Sequence, residues 1–331
     1  MYYLGIDGGG TKTDFTLIDD EGTILAKHIK GSLYYLTIGI DNVVLTLQEG
    51  IREIIELTKL EDEEIEAVHI GIPCYGEINA DGVLLEKAIF EGLNRKSLTI
   101  GNDVEVGWAG SLGCQPGINI VAGTGSIAYG VDVSNRAERS GGWGPGFGGD
   151  EGSAYWIGCQ LIQAFSKQSD GRLPRTELYN YLREALKLDV DFDILDIIFN
   201  KLKMERVEIA KFSKYAYELA LRGDAATLKI FDEAAHELTS MIEAIIRKLD
   251  FKEKPIKISY SGGVFKSGDL VLKPMLKYLK PLNIELLNPV FNPALGACLL
   301  AYRHIHGVVS PELLETMKHK QFGRNGFTQI L

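Results

Sequence analysis

The chain has 331 residues, of which 45% are hydrophobic and 24% charged, a composition that excludes a wholly disordered or collagen-like chain. Its 45 acidic residues outnumber its 35 basic residues, which disfavours nucleic acid as a partner but stays compatible with a locally basic site for a small anion. At roughly 150 residues per domain, the length predicts about two domains with a cleft between them.

The first part of the chain predicts strands, a glycine turn and a long helix. The turn contains Gly8, Gly9 and Gly10 and follows the first predicted strand directly. Apolar residues from Ile40 to Leu57 recur at three- to four-residue spacing and predict an amphipathic helix. Strands are expected, in chain order, at residues 2–6, 15–18, 23–29, 68–72 and 98–100.

The second part of the chain repeats this order of an apolar strand, a Gly-Thr turn and a returning strand. Residues 151–250 have mostly helical periodicity, after which the α/β pattern resumes and an apolar helix follows Pro293. The pattern predicts an α/β fold of two duplicated halves with a helical insertion in the second half. The elements expected here are strands at 118–122, 127–131 and 256–260 and helices at 270–279 and 294–302.

The first glycine turn is neither a Walker A loop nor a dinucleotide-binding fingerprint. Thr11 follows Gly10 where a Walker A loop needs lysine, and Thr13 stands where a dinucleotide fingerprint needs its third glycine. A glycine turn between two strands can still bind phosphate, because successive N–H groups in a tight turn form an anion-binding nest. Thr11 and Thr13 then add hydroxyl donors, Lys12 adds a positive charge and Asp7 could hold Mg²⁺ through water. The alternative for this turn, and for the similar turn at residues 123–126, is a hairpin turn that binds nothing.

A longer glycine-rich motif follows the turn at residues 123–126. Residues 141–144 read Gly-Gly-Trp-Gly, and residues 149–158 read Gly-Asp-Glu-Gly-Ser-Ala-Tyr-Trp-Ile-Gly. This motif resembles the BadF/BadG/BcrA/BcrD ATPase family, and most of all its N-acetylglucosamine kinase branch. Weaker matches in the family's order extend the resemblance over about residues 4–300, at 7–13, 102–103, 123–126, 261–263 and 293–297.

The resemblance implies the fold of the actin-like ATPases and sugar kinases, in which two RNase H-like domains close on ATP and a sugar. We expect residues 1–115 to form the N-terminal domain and residues 116–292 the C-terminal domain with the helical insertion. Residues 293–331 are expected to be a connecting helix and a tail that return to the N-terminal domain. The resemblance also implies ATP and Mg²⁺ as cofactors and a homodimer as the assembly. The acidic charge balance and the lack of a long apolar run predict no nucleic acid or membrane partner.

The resemblance assigns roles to individual residues. Asp103 matches the catalytic aspartate, the general base for the attacking hydroxyl; its alternative role is to cap a helix that begins at Val104. Asp7 is the candidate position for Mg²⁺. The implied ATP-binding residues are Asp7, Gly8, Gly9, Gly10, Thr11, Lys12, Thr13, Gly123, Thr124, Gly125, Ser126, Ser261, Gly262 and Gly263. The implied sugar-binding residues are Tyr34, Asp103, Gly142, Trp143, Gly144 and Asp150.

Two of the implied sugar-binding residues could instead have structural roles. Trp143 stands among glycines that offer no side chains to pack against, and an aromatic face covers the apolar C–H face of a sugar ring. Asp150 could accept hydrogen bonds from the sugar hydroxyls, or it could cap the helix that begins near Ser153.

The chain departs from the family's pattern on the sugar side and nowhere on the nucleotide side. Tyr34 stands where the sugar-kinase branch usually has an asparagine, and a phenol cannot reproduce the paired donor and acceptor of an amide. The segment from Trp143 to Asp150 is one residue longer than usual, and the loop at residues 71–76 also differs. The sequence therefore supports the use of ATP better than it supports N-acetylglucosamine as the acceptor.

The function predicted from the sequence is an ATP-dependent sugar kinase that transfers the γ-phosphate to a hydroxyl of an amino sugar or related hexose. One alternative is the dehydratase-activating branch of the same family, which hydrolyses ATP and holds an iron–sulfur cluster through cysteines. The other is a sensor of sugar or nucleotide without catalysis, against which the presence of Asp103 argues.

The cysteines and the apolar segments predict a cytoplasmic protein. The N-terminus lacks a basic region followed by a long apolar stretch, and no apolar run approaches 18 residues, so we expect neither a signal peptide nor a membrane span. The cysteines are far apart without a zinc-site spacing and are expected to be buried free thiols in a reducing compartment: Cys74, Cys114, Cys159 and Cys298.

Overall fold

A computed structural model describes residues 1–252 and 254–322 of the chain. These residues divide into two compact units. The first comprises Met1–Pro116 together with the chain from Asn288 onward, and the second comprises Gly117–Leu287. Each unit contains a five-stranded mixed sheet.

The strands of the first unit are β1 (Tyr2–Gly8), β2 (Thr13–Asp19), β3 (Ile24–Lys30), β4 (Ile65–Ile72) and β5 (Leu98–Asn102). Those of the second unit are β6 (Gly117–Ala122), β7 (Ser126–Val131), β8 (Ala137–Gly141), β9 (Ile256–Ser261) and β10 (Ile284–Leu287).

The helices, in chain order, are α1 (Tyr35–Ile38), α2 (Ile40–Thr58), α3 (Asn79–Leu93), α4 (Asp103–Leu112), α5 (Ala154–Ser169), α6 (Glu177–Leu186), α7 (Asp193–Leu195), α8 (Arg206–Ala210), α9 (Ser213–Leu221), α10 (Ala225–Lys248), α11 (Asp269–Leu279), α12 (Pro293–His306) and α13 (Pro311–Phe322). Short 3₁₀-helices occur at Asp62–Glu64, Pro145–Phe147 and Gly263–Ser267, and a π-helical turn at Asp196–Lys201.

The two sheets have the same topology. The strand orders are β3-β2-β1-β4-β5 and β8-β7-β6-β9-β10, and in each sheet the first three strands pair antiparallel with one another. The remaining two strands run parallel to the first strand of the unit, β1 or β6. The predicted duplication of an α/β unit is therefore confirmed, and so is the helical insertion, because α5–α10 lie between β8 and β9.

The packing of the first unit follows from its apolar pattern. On α2, Val43, Leu47 and Ile51 are buried against the sheet. The helix α12 is buried along most of its length, and it approaches so closely that a Cβ at Gly5 would overlap the backbone of Cys298. Such close contact explains why glycine stands in the middle of a buried strand.

The insertion of the second unit consists of helices with defined starts. The Ser153 side chain accepts from the backbone N–H of Trp156 to cap α5, and the Asp224 side chain accepts from that of Thr227 to cap α10. Apolar residues of both helices are fully buried in one core with Ile118, Ile120 and Ile258 of the sheet. The insertion therefore shares one hydrophobic core with the sheet of the second unit.

All four cysteines are free thiols, as predicted, but only Cys114 and Cys298 are buried. Cys74 and Cys159 are partly exposed, which corrects the expectation that all four would be buried. In the part of the chain that the structure describes, no helix combines the length and the apolar character needed to cross a membrane.

Candidate active site

In the first unit, candidate residues lie where parallel strands end. Asp7 pairs with Gly71 across β1 and β4, and Ile72 pairs with Asn102 across β4 and β5. Asp103 follows Asn102 directly, so both carboxylates lie at the carboxyl edge of the sheet. Ligand sites of α/β sheets form at this edge.

The first glycine loop, residues 8–13, is a hairpin turn between β1 and β2. The Gly9 N–H donates to the carbonyl of Lys12 at 2.9 Å, and the Ser32 hydroxyl donates to the carbonyl of Gly9 at 3.1 Å. Thr13 is buried, and its hydroxyl donates to the carbonyl of Gly31 at 2.6 Å, which supports the turn. Thr11 and Lys12 are exposed at the tip of the turn, where a phosphate could reach them.

Asp7 is held in an electrostatically unfavourable position. Burial, followed by the negative charges of Asp103 and Asp14, raises the pKa of Asp7 from 3.8 to about 7, and the charge of Lys12 opposes the rise only in part. The repulsion of Asp7 by two other carboxylates fits the binding of a cation, because a positive charge would favour the ionised form of Asp7. Among the described residues, no group of three or more His, Cys, Asp or Glu side chains is arranged as a metal centre.

Asp103 is the first residue of α4, and it is not the cap of that helix. The Asn102 side chain accepts from the N–H of Val104 at 3.1 Å and donates to the carbonyl of Tyr75 at 2.8 Å. The capping role considered for Asp103 therefore belongs to Asn102. The negative charge of Asp103 is compatible with the first turn of a helix, where the backbone N–H groups carry partial positive charge.

Tyr34 lies next to the loop at residues 71–76. Its backbone N–H donates to the hydroxyl of Ser32 at 2.9 Å, and its side chain hydrogen-bonds to the thiol of Cys74. The structure thus brings together two of the three features that depart from the family's sugar side, since both belong to the first unit.

In the second unit, the second glycine loop, residues 123–126, rests on the N-terminus of α5. The N–H groups of Ala154 and Tyr155 donate to the carbonyls of Gly123 and Thr124 at 2.9 and 3.3 Å. The buried hydroxyl of Ser126 donates to the carbonyl of Glu151 at 2.6 Å, so this side chain supports the loop. Thr124 is exposed.

The Ser261–Gly263 segment lies beside the second glycine loop because β9 runs parallel to β6. Val121 pairs with Ser261, and Gly262 has a φ of +108° in close contact with Ala122, whose backbone a Cβ would overlap. Only glycine combines that backbone conformation with so close an approach. The two segments, predicted from sequence to share a nucleotide site, are therefore neighbours in one sheet.

A cavity of about 600 Å³ opens between these two segments and the helical insertion. Gly123, Thr124 and Gly263 line it on the sheet side. The residues that the insertion and the following turn contribute include Lys211, Lys214, Tyr217 and Lys266. Lys211 pairs with Glu208, and Lys214 and Lys266 add two further positive charges, so the cavity is locally basic and suits an anionic ligand. Sequence reasoning did not find them, although Lys211, Lys214 and Tyr217 recur at a three-residue spacing.

Trp143 and Asp150, the two candidate sugar-binding side chains of the Gly-Gly-Trp-Gly region, differ in their exposure to solvent. The Trp143 side chain is 77% exposed, whereas Asp150 is 2% exposed and has a left-handed backbone with a φ of +63°. The Asp150 carboxylate accepts from the N–H of Ser126 at 3.3 Å and pairs with Arg206 at 2.5 Å. Because Ser153 caps α5, the capping role considered for Asp150 is wrong.

The candidate residues thus form one group in each unit. The first unit brings together the first glycine loop, Tyr34, Asp7 and Asp103. The second brings together the second glycine loop, the Ser261–Gly263 segment, Gly142 and Asp150, with the Gly142 N–H donating to the carbonyl of Ser126 at 3.0 Å.

Comparison with known proteins gives matches over nearly the whole chain. Residues 4–301 match the BadF/BadG/BcrA/BcrD ATPase family. The chain is 33% identical over 312 residues to the N-acetyl-D-glucosamine kinase of Dictyostelium discoideum, covering 90% of this chain and 97% of that protein. It is 31% identical over 308 residues to the N-acetylmuramic acid/N-acetylglucosamine kinase of Clostridium acetobutylicum, covering 91% and 98%. A solved structure from Chromobacterium violaceum, of a proposed N-acetylglucosamine kinase, has a TM-score of 0.66 at 24% identity and covers 91% of this chain and 98% of its own, which shows a shared fold.

Proposed function

Because the chain belongs to the BadF/BadG/BcrA/BcrD ATPase family, we propose that it is an ATP-dependent kinase that transfers the γ-phosphate to a hydroxyl of an amino sugar or related hexose. The family resemblance stated from the sequence is confirmed. Phosphoryl transfer needs both substrates in position, neutralisation of phosphate charge and a group that orients or deprotonates the attacking hydroxyl.

The position of Asp103 is the observation that supports catalysis and not binding alone. Its carboxylate lies at the carboxyl edge of the sheet, and Asn102 relieves it of capping α4. In the proposed reaction Asp103 accepts the proton of the sugar hydroxyl, whose oxygen forms a bond to the γ-phosphorus while the bond to the bridging β–γ oxygen breaks. The products are a sugar phosphate and ADP.

We propose that ATP binds at the three segments 7–13, 123–126 and 261–263. Support comes from the cavity beside Thr124 and Gly263, whose volume of about 600 Å³ lies in the range of small-molecule sites. Its lysines can balance the charge of a polyphosphate. Among the residues of these segments, the exposed Thr11, Lys12 and Thr124 are better placed to contact phosphate than the buried Thr13 and Ser126.

We propose that Mg²⁺ accompanies ATP and is held near Asp7 through water. The carboxylates of Asp7, Asp14 and Asp103 interact electrostatically, and hard oxygen ligands of this kind suit Mg²⁺. When bound with ATP, Mg²⁺ neutralises charge on the phosphate oxygens.

We propose that the sugar contacts Asp103, Tyr34 and the loop that contains Gly142, Trp143, Gly144 and Asp150. The largely exposed ring of Trp143 can cover the apolar face of a sugar. Tyr34, tied to Cys74, offers a hydroxyl where the branch usually offers an amide, so the acceptor specificity should differ from that of a strict N-acetylglucosamine kinase. We also propose that the protein forms a homodimer, as the family resemblance implies. Its four free thiols support a location in the reducing cytoplasm.

The proposal is tested by measuring ADP release from Mg²⁺-ATP with a panel of acceptors and a control without sugar. The panel contains N-acetylglucosamine, glucosamine, N-acetylmuramic acid, N-acetylmannosamine and glucose. We expect at least one amino sugar to raise ADP release well above the control. Equal release with every acceptor and with the control would contradict a kinase of this substrate class and favour an ATPase or a sensor.

A further inference from the structure

Arg206 is a charged residue of the insertion that the proposed function has not yet used. It is the first residue of α8, and its guanidinium lies 2.5 Å from the carboxylate of Asp150. The carboxylate side chain is 2% exposed, whereas the arginine side chain is 42% exposed. The pair therefore has a buried acidic end and an open basic end.

The open end lies against the second glycine loop. A Cβ at Gly125 would overlap the guanidinium of Arg206 and would lie 2.6 Å from the Asp150 carboxylate. Glycine at this position is what allows the guanidinium to approach the loop backbone. The Asp150 carboxylate is itself held in position, because it also accepts from the N–H of Ser126 at 3.3 Å.

The loop next to this guanidinium carries no charge of its own. Its sequence is Gly-Thr-Gly-Ser, with no lysine of the kind that a Walker A loop supplies. Gly123 and Thr124 of the same loop line the cavity together with Val207, the residue that follows Arg206. Arginine has five N–H donors, and a pair with one carboxylate engages at most two of them, so donors remain for a phosphate.

We propose that Arg206 binds the phosphate groups of ATP at the second glycine loop and that Asp150 is its positioning residue. This inference rests on the proposed function, because it assigns to that loop the phosphates of a nucleotide. It gives Asp150 a role through Arg206 in addition to the sugar contact that the resemblance implies.

The competing explanation is that Arg206 only balances a buried negative charge. Removal of one partner of a buried ion pair destabilises a protein because the other charge is left uncompensated. A loss of ATP binding in Arg206→Ala alone could then follow from local disorder. The double variant Asp150→Asn/Arg206→Ala removes both charges and thereby separates the two explanations.

The experiment measures the dissociation constants of adenosine and of the Mg²⁺ complexes of ADP and a non-hydrolysable ATP analogue by titration calorimetry. It uses wild type, Arg206→Ala, Arg206→Lys and the double variant, each checked by thermal melting. Arg172→Ala is the matched control, because Arg172 pairs with Asp170 at the exposed surface of the same unit. A hydrogen bond to a charged group contributes about 1.5–3 kcal/mol, so loss of the contact should weaken binding of the ATP analogue about 10- to 100-fold.

We expect Arg206→Ala and the double variant to lose affinity for the ATP analogue by that factor, to lose less for ADP and to keep the affinity for adenosine within about 2-fold. Arg206→Lys should be intermediate, because lysine keeps the charge but not the planar fork. Restoration of wild-type affinity in the double variant, or equal losses for adenosine and the ATP analogue, would overturn the inference. If wild type binds neither nucleotide, the proposed function itself fails, which is a different outcome from phosphate-dependent binding that survives the loss of Arg206.

Discussion

At the scale of single residues, Asn102 and Asp103 divide two tasks between neighbouring positions. The Asn102 side chain caps α4 and ties it to the carbonyl of Tyr75. The Asp103 carboxylate is the first acidic group of the same helix, close enough to Asp7 for the two charges to interact. A change at Asp103 should therefore affect chemistry, and a change at Asn102 should affect stability.

We expect Asp103→Asn to lower the rate of sugar phosphorylation at least about 100-fold, because an amide cannot accept the hydroxyl proton. The affinity for Mg²⁺-ATP should change little, and the free energy of unfolding should not fall, because the charge of Asp103 repels that of Asp7. Asn102→Ala is the matched comparison, and it should lower the free energy of unfolding by about 1 kcal/mol through loss of the cap. Initial rates and denaturant unfolding of both variants check this, and Asp103→Asn with more than a tenth of wild-type activity would show that Asp103 is not the base.

The pKa of Asp7 predicts a pH-dependent stability. In the folded chain this pKa is raised to about 7, above its ordinary value of 3.8, so the folded state takes up a proton more readily than the unfolded state. The associated stabilisation is fully present below pH 4 and is lost as the pH rises through 7. Asp7→Asn, which carries no charge, should not lose stability in this way.

We therefore expect Asp7→Asn to gain stability relative to wild type between pH 5 and pH 8, by an amount on the order of 2–4 kcal/mol at most. Urea unfolding of both proteins at the two pH values, with EDTA present to remove Mg²⁺, measures the difference. A difference in stability that stays constant between the two pH values would contradict the raised pKa.

Residue roles were predictable from the sequence where they rest on local patterns, and not where they rest on tertiary contacts. The glycine of a turn and the carboxylate after a strand can be recognised in a single segment. Arg206 could not be, because the whole of α5, α6 and α7 lies between Asp150 and Arg206 in the sequence, and nothing in either segment marks the pair. The sequence also could not show that the hydroxyls of Thr13 and Ser126, two of the expected ATP-binding residues, donate to backbone carbonyls that support their loops.

At the scale of elements, the first unit depends on the close contact of α4 with α12. Gly296 of α12 faces Gly110 of α4, and a Cβ at Gly296 would overlap the backbone of Val106 and Gly110. Backbone atoms cannot rotate away as the end of a long side chain can. The two helices must therefore separate if Gly296 acquires a side chain, and a Cβ at Gly110 would overlap the backbone of Asn292, just before α12.

We expect Gly296→Ala to lower the free energy of unfolding by about 3 kcal/mol, the cost of overpacking a tight interior. Gly82→Ala is the matched control, because Gly82 also lies within a helix but has nothing within 4 Å of the added Cβ. That variant should be more stable than wild type by about 0.5–1 kcal/mol. Thermal or urea unfolding distinguishes the two; a neutral Gly296→Ala would mean that the helices are not in such close contact.

The central strands of both units and the edge strands β3 and β5 of the first unit were predictable from the sequence, and the edge strands of the second unit were not. Continuous apolar runs gave the central strands β1, β4, β6 and β9 to within a few residues. The edge strands β8 and β10 were not predicted, because β8 has no apolar run and places two charged residues side by side, and β10 is only four residues long. For such strands the neighbouring strand, and not their own composition, decides the conformation.

At the scale of the whole molecule, two units with the same sheet topology differ in what is inserted between their strands. The insertion of the second unit supplies Lys211, Lys214 and Arg206 beside the second glycine loop. The first unit has no comparable insertion within the described residues and carries the carboxylates Asp7 and Asp103. The same sheet topology therefore carries two carboxylates at the carboxyl edge of the first unit and three basic side chains beside the glycine loop of the second.

The central claim is that the γ-phosphate is transferred to a sugar, and identification of the product tests it most directly. The protein is incubated with Mg²⁺ and ATP labelled with ¹⁸O in the γ-phosphate, together with the amino sugar that best stimulates ADP release. Mass spectrometry then follows the label. We predict that the label appears in a sugar phosphate in equal amount to the ADP formed, and that Asp103→Asn produces neither. Recovery of the label only as inorganic phosphate would contradict the account, because the protein would then hydrolyse ATP without phosphorylating a sugar.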